Sequence, residues 1–215
     1  GINTQKIPIL TMIKRYLPIN VLLLSIPFWL LAAWNYPGGT SWDASTDGFS
    51  FTANYVSALF QPLALNGLTN TARSFAFVAM LLYATSLSVM FWLISTSYPK
   101  SIASKTVQIF GVGAMVYAFI AVTTPMHNLL TIISASFLAI AIIGMLVLLQ
   151  RAAEYKQVLL GSFNLLLLAM LSVTTKGNVF VELSPAIEWL LFLSGAVWVA
   201  LVYIGASYVK ISIPK

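Results

Sequence analysis

Apolar residues fall into six long runs, at about 17–36, 74–96, 107–124, 129–149, 158–173 and 187–208, divided by short polar joints. Most of these runs hold about 20 residues, the length at which a helix rising 1.5 Å per residue crosses a hydrocarbon core about 30 Å thick. The pattern therefore predicts an all-α fold, a polytopic bundle of six transmembrane spans in a single domain over residues 1–215. Trp29, Trp34 and Tyr36 sit where a membrane interface attracts aromatics, and Pro37, Gly38 and Gly39 stop the first run. Asn70 is placed to cap the second span. Ser184 and Pro185 suit the start of the sixth, and Lys176 with Gly177 suits the end of the fifth. The fifth run is short, so it either stands nearly upright or extends into its polar flanks. Residues 125–128 form a tight hairpin between the third and fourth spans. No repeat or second domain is visible.

One connection, 37–73, is far longer than the others, and loops of that length carry structure or function. Its first part, PGGTSWDASTDG, is rich in turn formers. Its second, FSFTANYVSALF, places Phe51, Tyr55 and Leu59 at helical spacing, with Thr52, Asn54 and Ser57 elsewhere on the wheel. That arrangement predicts a short interfacial helix on the outer leaflet.

Composition agrees with this pattern. Of 215 residues 60% are apolar and only 7% charged, far too few charges to dress a water-soluble surface. The net charge of +6 does not signal nucleic acid, because the basic residues sit between apolar runs and form no stripe. Anionic lipid headgroups are the expected partner. With six spans, Lys6, Lys14, Arg15, Lys100, Lys105, Arg151, Lys156, Lys210 and Lys215 share one side, leaving Arg73 and Lys176 opposite. That bias puts both termini in the cytoplasm. A bacterial inner membrane fits, since no glycosylation acceptor lies outside. Cysteine is absent and histidine occurs once, so disulfides, thiolate metal sites and bis-histidine haem are excluded; no metal or cofactor is expected.

No span has a lysine or an acid at its middle, which excludes a retinal Schiff base and argues against a proton relay or carrier. Polarity gathers at the outer ends. Asp43 and Asp47 lie in the long loop. Arg73 falls in the first turn of the second span, against both the dipole and the charge bias, and calls for a partner: Asp43, Asp47 or a lipid phosphate. His127 and Asn128 sit on the 125–128 hairpin, where a neutral imidazole can act as a base. Glu188 belongs to the first turn or so of the sixth span, where a carboxylate suits the dipole. The candidate catalytic groups are thus His127, Glu188, Asp43 and Asp47, and the candidate headgroup or ion-pair residues Arg73, Asn54 and Asn128. Gly111 and Gly113, together with Gly195, Ala196, Ala200 and Gly205, suit close helix packing.

The segments FSFTANYVSAL, NGLTNTARSFAF and TPMHNLL, with an acid near the start of the sixth span, resemble a bacterial family of six-helix membrane proteins of unknown function. That family is distantly similar to the eukaryotic DRAM and FRAG group. The resemblance implies a lipid-facing role and brings no catalytic residues with it. Two functions are carried forward. One is a non-enzymatic module that binds lipid or packs as an accessory subunit against other membrane proteins. The other is a membrane-embedded lipid hydrolase or transferase with His127 as base, Arg73 on a phosphate, and an acid from Asp43, Asp47 or Glu188.

Overall fold

The structure is a computed structural model that describes residues 9–212, with side chains from 15 to 206. Lys6 and Lys215 of the charge count fall outside the described residues, as do the side chains of Lys14 and Lys210. Six helices are long and apolar enough to cross a membrane: α1 Ile9–Trp34, α2 Arg73–Ser95, α3 Ile102–Thr123, α4 His127–Arg151, α5 Tyr155–Lys176 and α6 Ser184–Ser212. The chain is an integral membrane protein built as a six-helix bundle. The fifth helix extends through its polar flanks as far as Lys176, and Ser172, Thr174 and Thr175 return their hydroxyls to carbonyls one turn back, so they carry no unmet donor into the bilayer.

Neighbour relations define the architecture. Helix α2 packs on α1, α3 and α6, while α3 packs on α4, α4 on α5, and α5 on α6. Helices α2 to α6 therefore close a five-membered ring, and α1 buttresses it from outside. Ser86 Oγ ties α2 to α1 by donating to the Pro18 carbonyl at 2.6 Å. Pro18 and Pro27 both lie within α1. Transmembrane helices tolerate proline where neighbouring groups re-satisfy the freed backbone.

The ring's two ends differ. Toward the termini its centre is filled by Ile94, Val107, Met145, Leu149 and Val202, each 3% exposed or less. Toward the opposite end it is capped by residues 35–72, a lid carrying a short 3-10 helix, Val56–Phe60. This helix is narrower than the FSFTANYVSALF stretch. Val56, Ala58, Leu59 and Phe60 are buried, so it plugs the ring where a fully interfacial helix would lie on lipid. Residues 51–54 turn tightly, and this breaks the face that Phe51, Tyr55 and Leu59 would have shared.

Buried asparagines hold the lid. Asn54, fully buried, donates from Nδ2 to the Gly39 carbonyl at 2.8 Å and accepts from Ser50 N at 2.9 Å. Its own carbonyl accepts from Trp189 Nε1 of α6 at 3.0 Å. Asn70 shares its amide hydrogens among the carbonyls of Ala58, Leu59 and Gln61, and its Oδ1 accepts from Ala72 N. It thus caps the turn preceding α2 and also fastens the plug. Gly38 and Gly39 have φ of +138° and +85°, and a β-carbon at Gly39 would press on Leu65, so only glycine fits this crossing. Edge-to-face rings complete the seal: Trp29 meets Phe60, Trp189 and Phe192 with centroids 5.2–6.0 Å apart.

Candidate functional site

Between the lid plug and the packed half lies a chamber of about 180 Å³, walled by all five ring helices and by Val56 and Ser57 of the lid. Its walls are mostly aliphatic and aromatic. A second cavity of about 610 Å³ forms a groove between α4 and α5. The two share Ser57, His127, Thr131, Ala135, Leu168, Leu171 and Glu188, so chamber and groove meet along that seam. Their size together falls in the range of small-molecule sites, about 300 to 1,000 Å³.

The seam has a structural cause. Helix α5 is latched to α6 twice: Ser194 Oγ donates to Asn164 Oδ1 at 2.8 Å, and Trp198 Nε1 donates to the Gln157 carbonyl at 2.9 Å. Helix α4 is latched to α3 by Ser134 Oγ on the Ala114 carbonyl at 2.8 Å. Among the described residues no side-chain hydrogen bond joins α4 to α5. Their three-residue connection, 152–154, lies at the packed end, so the pair separates toward the lid. Small side chains, Ala135 and Ala139 on α4 with Ala169 on α5, keep the gap open.

Polar groups ring the mouth. Glu188 lies about one turn into α6, and its Oε2 accepts from Val56 N at 2.7 Å. One carboxylate oxygen thereby satisfies an end of the plug, and the residue lines both cavities. His127 is the first residue of α4 and is half-buried. Its Nδ1 stands 3.0 Å from the Ala121 carbonyl. A carbonyl can only accept, so Nδ1 carries the hydrogen, and in neutral imidazole Nε2 remains an acceptor. Nε2 makes no hydrogen bond among the described residues. Asn128, Tyr55, Ser57 and Lys176 complete the rim.

Of the residues singled out by sequence, His127, Asn128 and Glu188 converge here. Asp43, Asp47, Arg73 and Asn54 do not. Asp43 is exposed in the lid, where the hydroxyl and backbone N–H of Ser45 hold its carboxyl below the usual aspartate range. Asp47, also exposed, faces Gly38 across an isolated bridge. Arg73 has no acidic partner among the described residues. Its Nε donates to the Phe60 carbonyl at 3.0 Å and its guanidinium lies 5.2 Å from the Phe77 ring. The plug's unpaired carbonyls, which no sequence pattern announces, take the place expected of Asp43 or Asp47. Asn54 is consumed by the lid. Ser184, expected as a cap, begins α6 with its hydroxyl buried and unpartnered.

Sequence reasoning passed over two chamber residues, Asn164 and Trp198, and one residue of the groove, Lys176. Asn164, 1% exposed at the middle of α5, and its partner Ser194 make the bundle's centre less quiet than the absence of charge suggests. The signal was available, since Asn164 is the sole amide within the 158–173 run. Trp198 reads as an ordinary apolar residue until its position at the chamber wall is known. Lys176 reads as a plain helix end. No protein-family model, curated protein or solved structure matches the chain.

Proposed function

We propose that this protein is a non-enzymatic module that holds one membrane lipid, with an acyl chain running from the groove into the chamber and the headgroup end at the rim formed by His127, Asn128, Lys176 and Glu188. The observation that carries this reading is the continuity of a mostly apolar chamber with a groove that opens sideways between two membrane-spanning helices, with His127, Lys176 and Glu188, the charged or basic groups of the lining, all at one end. A lipid has the same division, and the bilayer supplies it from the side on which the groove opens. Burial of each methylene outside lipid brings no hydrophobic gain here, so affinity rests on packing and on the rim's hydrogen bonds. The resemblance to a lipid-associated group supports the same reading. Arg15, Lys100, Lys105, Arg151 and Lys156 at the packed end, against Arg73 and Lys176 at the lid end, favour a cytoplasmic location for both termini and an outward lid in a bacterial inner membrane.

The test is native mass spectrometry of protein released from its own membrane in mild detergent. One retained lipid per chain is expected. In this cysteine-free protein, Ser136→Cys with Ser172→Cys, bridged by a bifunctional thiol reagent across the groove, should block exchange with added lipid while leaving the fold intact. A stoichiometric partner protein in place of lipid would make the groove a subunit interface.

One observation favours the second reading, a lipid-modifying enzyme. His127, with Nε2 as an acceptor, shares the rim with Ser57 and Glu188, a base beside a hydroxyl and a carboxyl group. A lipid-ester hydrolysis assay that responds to His127→Ala and Glu188→Gln, with retained lipid unchanged, would select it.

A further inference from the structure

The chamber has a built floor. Trp198 is 2% exposed and Phe91 1%, and both line the chamber's end nearest the packed half. Each ring is seated on a glycine of the adjacent helix. A β-carbon at Gly161 of α5 would fall inside the envelope of the Trp198 ring, and one at Gly111 of α3 would meet the Phe91 ring. The Trp198 indole is also anchored from α5 through its hydrogen bond to the Gln157 carbonyl. These rings cannot swing without breaking that bond or colliding with backbone. Beneath them lie the buried side chains of Met145, Leu149 and Val202, which do not line the chamber.

We infer that Trp198 and Phe91 form a ruler that sets the length of the acyl chain the chamber accepts. This rests on the lipid reading above and adds a selectivity to it. From Glu188 at the rim to Trp198 at the floor is ten residues of α6, a rise of about 15 Å. An extended chain of about twelve carbons spans that distance, its upper part in the groove and its end in the chamber. Longer chains must fold back or leave through the groove. The wall between rim and floor includes Gly195, one turn above Trp198, where an added β-carbon meets only Asn164 Oδ1 at 3.5 Å, an ordinary contact. A larger residue is therefore accommodated there, and its side chain shortens the chamber by about one turn, or about 4.5 Å.

The experiment reconstitutes the protein in nanodiscs holding an equimolar set of phosphatidylglycerols and phosphatidylethanolamines with chains from ten to eighteen carbons. The retained species are then read by mass spectrometry. The native chain should enrich lipids with chains of about twelve to fourteen carbons severalfold. Gly195→Leu, which also replaces a poor helix former with a good one, should move the optimum down by about three carbons. Trp198→Phe, which lowers the floor and keeps an aromatic ring on Gly161, should move it up. A lipid retained with the same length distribution in all three proteins overturns the ruler and leaves lipid binding standing. No lipid retained by the native chain overturns both.

Discussion

The two halves of the ring are made of the same residue types and differ in how they are filled. At the packed half, Met145 and Leu149 of α4 join Ile94, Val107 and Val202 in one cluster, each 2% exposed or less. At the lid half the same helices, α4 foremost, carry Ala135, Ala139 and Thr131, and an apolar space remains. Packing stabilises the first half; the second depends on a lid fastened by hydrogen bonds. Stability and site are thus separated along the membrane normal, so residues near the rim can serve a ligand without supporting the bundle.

The comparison is broken most strongly at Asn54. Asn54→Ala leaves the buried Gly39 carbonyl unpaired beneath the lid, at about 1 to 3 kcal/mol, and frees the part-buried Ser50 N–H at a smaller cost. Hydrogen exchange and limited proteolysis should show residues 38–55 opening while the six helices persist. A lid that stays protected would mean the aromatic seal suffices. The next effect comes from cavities cut in each half. Leu149→Ala should lower stability by about 2 kcal/mol, the packing and cavity share of a larger soluble-protein cost, because lipid tails are as apolar as leucine. Leu138→Ala, on the chamber wall, should cost less than half of that. Thermal shifts in one detergent measure both, and equal losses would mean the lid half is as well filled as the other. The smallest effect is at the boundary. Ser194→Ala removes the α5 to α6 latch at about 0.6 kcal/mol, the average worth of an interhelical hydrogen bond in a bilayer. Cross-linking across the α5 to α6 contact should rise little, since the Trp198 to Gln157 bond remains.

Much of the fold was legible because a bilayer makes one demand on every span. About 20 apolar residues must come together in sequence, and α2, α3 and α4 begin and end within a few residues of where that pattern places them. The departures have local causes. Helix α5 outran its apolar core because Ser and Thr satisfy their own donors on the preceding turn. The loop's helix came out as a short plug because Asn54 and Asn70 folded the chain around their amides. The site was legible only in part. His127, Asn128 and Glu188 were found because each lies in the first turn or so of a helix at the same end, so topology alone brings them near. Arg73, Asp43 and Asp47 share that end too, yet Arg73 attaches to the Phe60 carbonyl, Asp43 to Ser45, and Asp47 stays exposed on the lid.

By itself, then, the sequence determined the medium, the number of helices and the end at which polar chemistry gathers, because hydropathy and helix length are properties of contiguous residues. Only the tertiary structure decided that α1 stands outside the ring, that α4 and α5 part toward the lid, and that Trp198 and Phe91 floor a chamber. Those outcomes depend on which helices touch and on where a glycine meets a ring, and such contacts join residues that lie far apart along the chain.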